Sequence, residues 1–410
     1  MKIVCTKSEL LKGVNITLRA VPVRTTMTIL ECILIDATEL DIKLTANDME
    51  LGIETTIEGD IIEKGKIAIE AKFFADIIRK LPDSEITIET DSNFNASITC
   101  EKSVFNIPAR DGEDFSYLPY IEKNNMITIS QFDLKELIRQ TIFSIGDNES
   151  NLIMTGELFE VTEDNLKVVS LDRYRVSIRN VKLNNIYNDI KVIVPGKTLN
   201  EISKIITGDA ESMVDVYFSD NHILFEFDKT IVISRLIEGE FFKINQMLSK
   251  DYETKITINK RELLDCIDRA TLFVKEGNKK PVIFDIEDGS VKINITSTVG
   301  KMNEEIDIEK EGSDIKIGFN PKFVIDALRV IDDETISMTF MWMAGTVSGL
   351  PTTPPESQSG ITATRAMNGS GTHRATAGRW LTIRCMMSSK TAKATCGSPP
   401  ATGSACCSLR

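Results

Sequence analysis

The sequence is poor in the residues that perform chemistry. Only two histidines occur in 410 residues, His222 inside an alternating strand pattern and His373 near the C-terminus. Aromatic residues make up 6% of the chain, and both tryptophans, Trp342 and Trp380, fall after residue 340. No Walker loop, GxGxxG, GxSxG or HExxH pattern is present, so nucleotide-binding, acyl-transfer and zinc-hydrolase motifs give no lead. Carboxylates are abundant, but nothing pairs them into an acid/base set or a metal site. The chain reads as a non-enzyme with no catalytic residue, no metal and no cofactor. No segment approaches 18 consecutive apolar residues, so no membrane span is expected. The opening MKIVCTKSELLKG has no apolar signal-peptide core. Cys5, Cys32, Cys100 and Cys266 stand alone without C-x-x-C spacing, as expected of reduced thiols in a cytoplasmic protein.

Acidic charge is plentiful, and it is unevenly spread. Residues 1–340 carry 60 acidic and 41 basic side chains, whereas residues 341–410 carry 1 and 7. An acidic body argues against indiscriminate coating of nucleic acid or anionic membrane. It leaves room for a local basic strip, so the placement of the lysines and arginines matters more than their sum.

That placement is periodic. Lys72, Lys197 and Lys322 lie 125 residues apart, in the contexts GKIAIEAKFFADIIRKL, IKVIVPGKTLNEISKII and DIKIGFNPKFVIDALRVI. A period this long predicts a domain-sized unit used three times, each long enough to bury its own core. Each unit contains two similar halves, a helix followed by three or four alternating strands, an α+β arrangement with helices on one face of antiparallel sheets. The first-half helices are predicted from SELLKGVNITLRAV, DLKELIRQTIFSI and RELLDCIDRATLFV; the Lys-headed helices open the second halves. Polar linkers place the boundaries at 1–124, 125–251 and 252–340.

Units one and two finish with a strand pair, ASITCEKSVFNI and HILFEFDKTIVISRL, and a Gly-Glu-x-Phe turn at Gly112–Phe115 and Gly239–Phe242. Unit three breaks off after Phe340. Residues 341–410 are rich in Ser, Thr, Ala, Gly and Arg, hold five prolines and show no alternation and no helical periodicity. They read as an irregular, disordered tail of foreign material, as from a frameshift or gene fusion. The third domain is expected to lack its last strands and to leave a sheet edge open.

On each Lys-headed helix a second basic residue follows seven positions later: Lys72 and Arg79, Lys197 and Lys204, Lys322 and Arg329. Seven residues is nearly two turns, so each pair shares one helix face. A lysine at a helix N-terminus is mildly unfavourable against the macrodipole, and its threefold repetition points to a use beyond stability. A row of such helices suits a phosphate backbone without base readout. The first-half helices add Lys12 and Arg19, Lys135 and Arg139, and Lys260, Arg261 and Arg269.

The repeat, together with VPVRTTMTIL, AKFFADIIRKLPD, VVSLDRYRVS, VIVPGK, SRLIEGEF and IGFNPKFVIDALRVI in order, resembles the bacterial sliding clamp family, the beta subunit of DNA polymerase III, over residues 1 to about 340. The resemblance implies a DNA-clamp fold and a head-to-tail homodimer whose six domains form a closed ring. Such a processivity factor encircles double-stranded DNA without sequence preference and tethers the replicative polymerase in the cytoplasm. It implies DNA contacts at Arg24, Lys72, Arg79, Lys80, Lys197, Lys279 and Lys280, with Asn320 and Phe323 near the equivalent third-domain surface. The protomer contact implied pairs Phe105 and Ile107 with Leu272 and Phe273. A pocket for short peptides of the polymerase III alpha subunit, the clamp loader and other clamp-binding proteins is implied at Met154, Leu171, Arg173, Tyr174, Arg175, Val176, Phe242, Gln246 and Met247. Here the chain departs from the family, which has Gly-His at Arg173–Tyr174 and Pro at Phe242, and whose last strand completes the pocket. The alternative from another class is an interaction scaffold whose incomplete third domain prevents ring closure.

Overall fold

The computed structural model describes residues 1–146, 151–244, 252–274 and 281–340, together with the backbone of Leu381–Cys385 and Cys407–Leu409. Six helices are described in full: α1 (Lys7–Thr17), α2 (Ala71–Lys80), α3 (Gln131–Thr141), α4 (Gly196–Ile205), α5 (Lys260–Thr271) and α6 (Pro321–Arg329). They fall two to a repeat, as the period predicts. Helix α2 begins where the Glu70 carboxylate accepts the amide N–H of Lys72 at 3.2 Å and of Phe73 at 2.7 Å. Asn259 and Asn320 cap α5 and α6 in the same way, each at 3.1 Å. Such a cap contributes about 1 kcal/mol. Helix α2 buries Phe74, Ala75, Ile77 and Ile78 and exposes Lys72, Asp76, Arg79 and Lys80, which is the amphipathic division the sequence predicts.

The chain forms two compact units, and each contains part of the second repeat. The first comprises Met1–Lys135, Leu183–Asn188 and Val194–Glu238. It holds a five-stranded antiparallel sheet and a nine-stranded one. The nine-stranded sheet passes from the first repeat into the second without a break, because Leu51–Ile57 pairs antiparallel with Thr230–Arg235, from Leu51↔Ser234 to Thr55↔Thr230. At that seam the buried hydroxyls of Thr55 and Thr230 meet at 2.8 Å. The repeat is thus a unit of sequence, while hydrogen bonding fuses neighbouring repeats into one sheet.

The second unit comprises Glu136–Lys182, Asp189–Ile193 and Gly239–Arg410. A four-stranded sheet in the order 301–307, 290–296, 282–287, 315–319 shares a core with α5 and α6 that includes Leu263, Ile267, Phe284, Ile293, Val324 and Leu328. The hairpin between 282–287 and 290–296 turns at Asp288–Gly289, where Gly289 adopts φ +83°; an Asp-Gly pair suits that tight turn.

The remaining sheet of this unit departs from the sequence expectation. The 341–380 and 386–406 parts of the tail lie outside the described residues. Within the tail, however, Leu381–Cys385 and Cys407–Leu409 are strands, placed between Arg175–Arg179 and Thr335–Phe340. The open edge expected after Phe340 is therefore paired at Ser337 and Met338. The alternation of Leu381, Ile383 and Cys385 with Thr382 and Arg384 is a short period-two pattern that the tail's composition hides.

One buried acid in this unit has no cationic partner among the described residues. Glu157 is fully buried (0% exposed). Its Oε2 lies 3.1 Å from Thr141 Oγ1, which also contacts the Leu137 carbonyl oxygen at 2.7 Å, while Oε1 has no partner. Burial pushes this carboxyl up to about 8 from 4.5, against the smaller lowering pull of Thr141. The unfolded chain ionises near 4.5 and the folded chain near 8, so this group's contribution is whole below about pH 4.5 and is lost as pH rises to about 8, by up to roughly 5 kcal/mol. In Glu157→Gln, the fall in denaturation midpoint between pH 5 and 8 should flatten; an unchanged slope would place the pH dependence elsewhere.

Candidate functional site

The basic residues divide into two classes. In the first class the charge is used inside the fold. The ammonium of Lys7, at the start of α1, donates to the carbonyl oxygen of Leu81 just past α2. Lys135 of α3 does the same to Ile206 past α4 at 3.0 Å, and Lys260 of α5 to Ile331 past α6 at 2.7 Å. Each lysine thus bonds an otherwise unpaired carbonyl at the negative end of its partner helix. Arg19 pairs with Glu201 at 3.0 Å, Arg139 with Glu136 and Asp332 at 2.5 and 2.7 Å, and Arg269 with Glu304 at 2.5 Å. Burial alone would raise the Glu201 carboxyl, but hydrogen bonds from Lys204 and Arg19 outweigh it and hold it below its usual range. Five of the first-half cations that the sequence suggested for a phosphate backbone (Arg19, Lys135, Arg139, Lys260 and Arg269) are engaged internally. These lysine–carbonyl contacts are not legible in the sequence, because a lysine on a helix looks the same whether it meets solvent or a carbonyl; the near-125-residue recurrence of Lys7, Lys135 and Lys260 is the available signal.

The second class is exposed. Lys72, Lys322, Lys80 and Arg24 are exposed, and among the described residues none has a side-chain partner. Arg79 is exposed and bound to Asp76 at 2.9 Å, Lys197 to Asp48, Lys204 to Glu201 at 2.7 Å, and Arg329 to Asp268 at 3.8 Å. The Arg79 and Arg329 pairs, exposed on both sides, contribute little stability and are readily exchanged for another anion, whereas Lys197 and Lys204 meet largely buried carboxylates. Phe73, which the periodicity turns away from Lys72, is 56% exposed beside it. Asn320 carries the α6 cap rather than a free amide. Lys279 and Lys280 lie outside the described residues.

The residues suggested for a peptide pocket centre on Arg175. This side chain is 6% exposed. It donates to Asp172 at 3.0 Å and to Asp326 of α6 at 2.8 Å. Its guanidinium also lies over the rings of Phe143 and Phe323, 5.3 and 4.7 Å from their centroids. Burial pushes the Asp172 carboxyl up, against the opposing bonds from the Tyr174 amide and Arg175. Tyr174, half exposed, stacks on Phe323 at 5.6 Å and 28°. Phe143, Asp172 and Asp326 are absent from the sequence-derived set; Asp172 is a local i,i+3 partner, whereas only folding brings Phe143 and Asp326 to Arg175. Met154, Leu171 and Val176 are buried, Arg173 is partly exposed, and Phe242 packs edge-on to Phe241 at 5.9 Å. Gln246 and Met247 lie outside the described residues.

Of the four suggested contact residues, Leu272 is 78% and Phe105 37% exposed, whereas Ile107 is buried and Phe273 packs against the third-repeat core. Phe105 sits on the edge strand Ser103–Pro108, most of which is exposed. Among the described residues no group of His, Cys, Asp and Glu is arranged to hold a metal ion, and no helix is long and apolar enough to cross a membrane.

Family comparisons agree with the threefold repeat. Residues 1–119, 128–243 and 245–349 match the N-terminal, central and C-terminal domains of the DNA polymerase III beta subunit. The beta sliding clamp of Staphylococcus aureus is 34% identical over 336 residues, spanning 80% of this chain and 89% of that protein. A crystal structure of a putative DNA polymerase III beta subunit from Eubacterium rectale is 63% identical with a TM-score of 0.81, covering 83% of this chain and 93% of that one. The DNA polymerase sliding clamp of Bacillus subtilis is 33% identical at the same TM-score and coverage. With three consecutive α+β repeats, antiparallel sheets and these matches along residues 1–349, the chain belongs to the DNA polymerase III beta subunit family, the beta sliding clamps.

Proposed function

We propose that this chain is a sliding clamp protomer, which encircles duplex DNA and tethers a replicative polymerase to it. The observation that carries this reading is the triple family match combined with one exposed lysine, Lys72, Lys197 or Lys322, at the head of the second helix of every repeat. The functional domains proposed are residues 1–124, 125–251 and 252–340. Two protomers meet head to tail, and a heterologous contact that closes makes a ring. The exposed half of the suggested contact set, Phe105 and Leu272, supports that contact: an isolated apolar side chain is ordinary, but one on a strand edge can join a second sheet.

The role is topological and needs no reaction, so the chain is not an enzyme. A ring on DNA turns each re-encounter of polymerase and primer into an intramolecular event. Lys72, Arg79, Lys80, Lys197, Lys204, Lys322, Arg329 and Arg24 meet phosphates without reading bases, with Lys279 and Lys280 as further contacts and Asn320 supporting the head of α6. The surface around Arg175 and the Tyr174–Phe323 stack receives short peptides from the polymerase III alpha subunit, the clamp loader and other clamp-binding proteins. Replication in a bacterium places the protein in the cytoplasm.

Loaded onto nicked circular DNA, the protein should stay bound and then be lost when the circle is linearised; retention unaffected by linearisation would rule out encirclement and favour a non-closing scaffold. Replacing Lys72, Lys197 and Lys322 together by Glu should lower DNA retention at least tenfold. It should also reduce the salt dependence by about 0.9 per lost phosphate contact, and unchanged binding would remove these lysines from the interface. In sedimentation experiments Leu272→Asp should shift the protein from dimer to monomer with its melting temperature nearly unchanged. A persistent dimer would exclude Leu272 from the contact.

A further inference from the structure

The nine-stranded sheet sets a rule for this chain: the last strand of one repeat pairs with an inner strand of the repeat before it. Leu51–Ile57 of repeat one is closed by Thr230–Arg235 of repeat two, in antiparallel register. Moved on by the 125-residue period, the accepting strand falls at 176–182, and Arg175–Arg179 does lie at a strand of the second unit. The closing strand would fall at 355–360, where the sequence reads PESQSG. Two serines, a glycine and a proline, with no apolar alternation, are a poor β-strand sequence. The rule therefore leaves Arg175–Arg179 with a row of backbone N–H and C=O groups that need partners.

The partners are found elsewhere in the chain. Leu381–Cys385 runs beside Arg175–Arg179 over five consecutive positions, from Arg175↔Leu381 to Arg179↔Cys385. On its other side it pairs with Cys407–Leu409, which in turn pairs with Ser337 and Met338 of the truncated third repeat. The direction differs from the rule: the second-repeat strand is closed in parallel, whereas Thr230–Arg235 closes the first-repeat strand antiparallel. A substitute recruited from unrelated sequence need reproduce only backbone spacing, since strand pairing is made by groups that every residue but proline carries. A long connection to it is no obstacle, because closure entropy grows only with the logarithm of loop length.

We propose that Arg175–Arg179 is a strand-accepting edge, and that this chain fills it in cis with Leu381–Cys385 as a surrogate for the missing closing strand. The surrogate gives the otherwise incomplete third repeat its connection to the strands of the second. It also occupies the backbone beside Arg175 and Val176. If those residues receive peptides, a consequence that rests on the function proposed above, an extended peptide must displace the tail or bind without pairing to that strand.

Amide hydrogen exchange followed by peptide-level mass spectrometry tests the assignment without reference to DNA. In the unmodified chain the Arg175–Arg179 amides should exchange at least tenfold more slowly than those of the edge strand Asp60–Glu63. Ile383→Pro is placed between two partners, opposite Ser177 and Leu409, where proline is not tolerated. It should accelerate exchange at Arg175–Arg179 and at Ser337–Met338 at least tenfold, and leave Leu51–Ile57 unchanged as the control for folding. A chain ending at Phe340 should behave as Ile383→Pro does. Edge-like exchange of Arg175–Arg179 in the unmodified chain, or the same slow exchange in the proline variant with the control intact, would overturn the proposal. Protection that increases with protein concentration would overturn the cis assignment, since it would mark a strand from a second copy. A failure of DNA encirclement would leave these exchange rates as they are, so the two proposals fail separately.

Discussion

Every repeat in this chain depends on the requirement that a β-strand edge be paired. A strand offers one N–H and one C=O per residue, and half of them face each neighbour. Leu51–Ile57 satisfies this requirement with Thr230–Arg235, which merges two repeats into a single nine-stranded sheet and makes the compact unit larger than the repeat. The same requirement explains why the break after Phe340 matters. It removes both the end of one repeat and the partner of a strand about 160 residues earlier. The strands Leu381–Cys385 and Cys407–Leu409 stand where that loss falls.

Within each repeat a second interaction holds the paired helices. Lys7, Lys135 and Lys260 reach from the first helix to a carbonyl at the end of the second. A cation there meets the negative end of the helix dipole and satisfies an acceptor that has no intrahelical donor. The opposite end of the second helix carries the other recurring lysine, where the dipole disfavours it. Lys72 and Lys322 remain exposed without a side-chain partner among the described residues, and Lys197 meets only the Asp48 carboxylate. One helix thus shows both uses of a lysine, one fixed by the fold and one left available to an external phosphate.

The surroundings of Arg175 show how tertiary structure can change the meaning of a motif. In sequence, LDRYR is five residues with two cations. In the fold Arg175 is buried between two carboxylates and two aromatic rings, and it works as a strut between its own loop and α6. Desolvation makes such a charge costly unless it is fully paired, so the guanidinium is better suited to shaping the surface than to binding a ligand directly. Tyr174, stacked on Phe323, is what that surface presents.

The threefold repeat, the helix positions, the α+β class and the lysines at the heads of the second helices are legible in the amino-acid order alone. All of these follow from local periodicity, capping residues and charge spacing, which a linear chain records directly. Folding settles which first-helix cations are consumed by carbonyls and carboxylates, that Ile107 is core while Leu272 is surface, and which distant groups surround Arg175. It also settles that two short segments of an apparently irregular tail stand in the sheet. Those outcomes depend on groups far apart in sequence meeting within hydrogen-bond distance, from Arg269 and Glu304, 35 residues apart, to Arg139 and Asp332, 193 apart, and on backbone pairing, which uses groups common to nearly all residues and leaves little trace in composition.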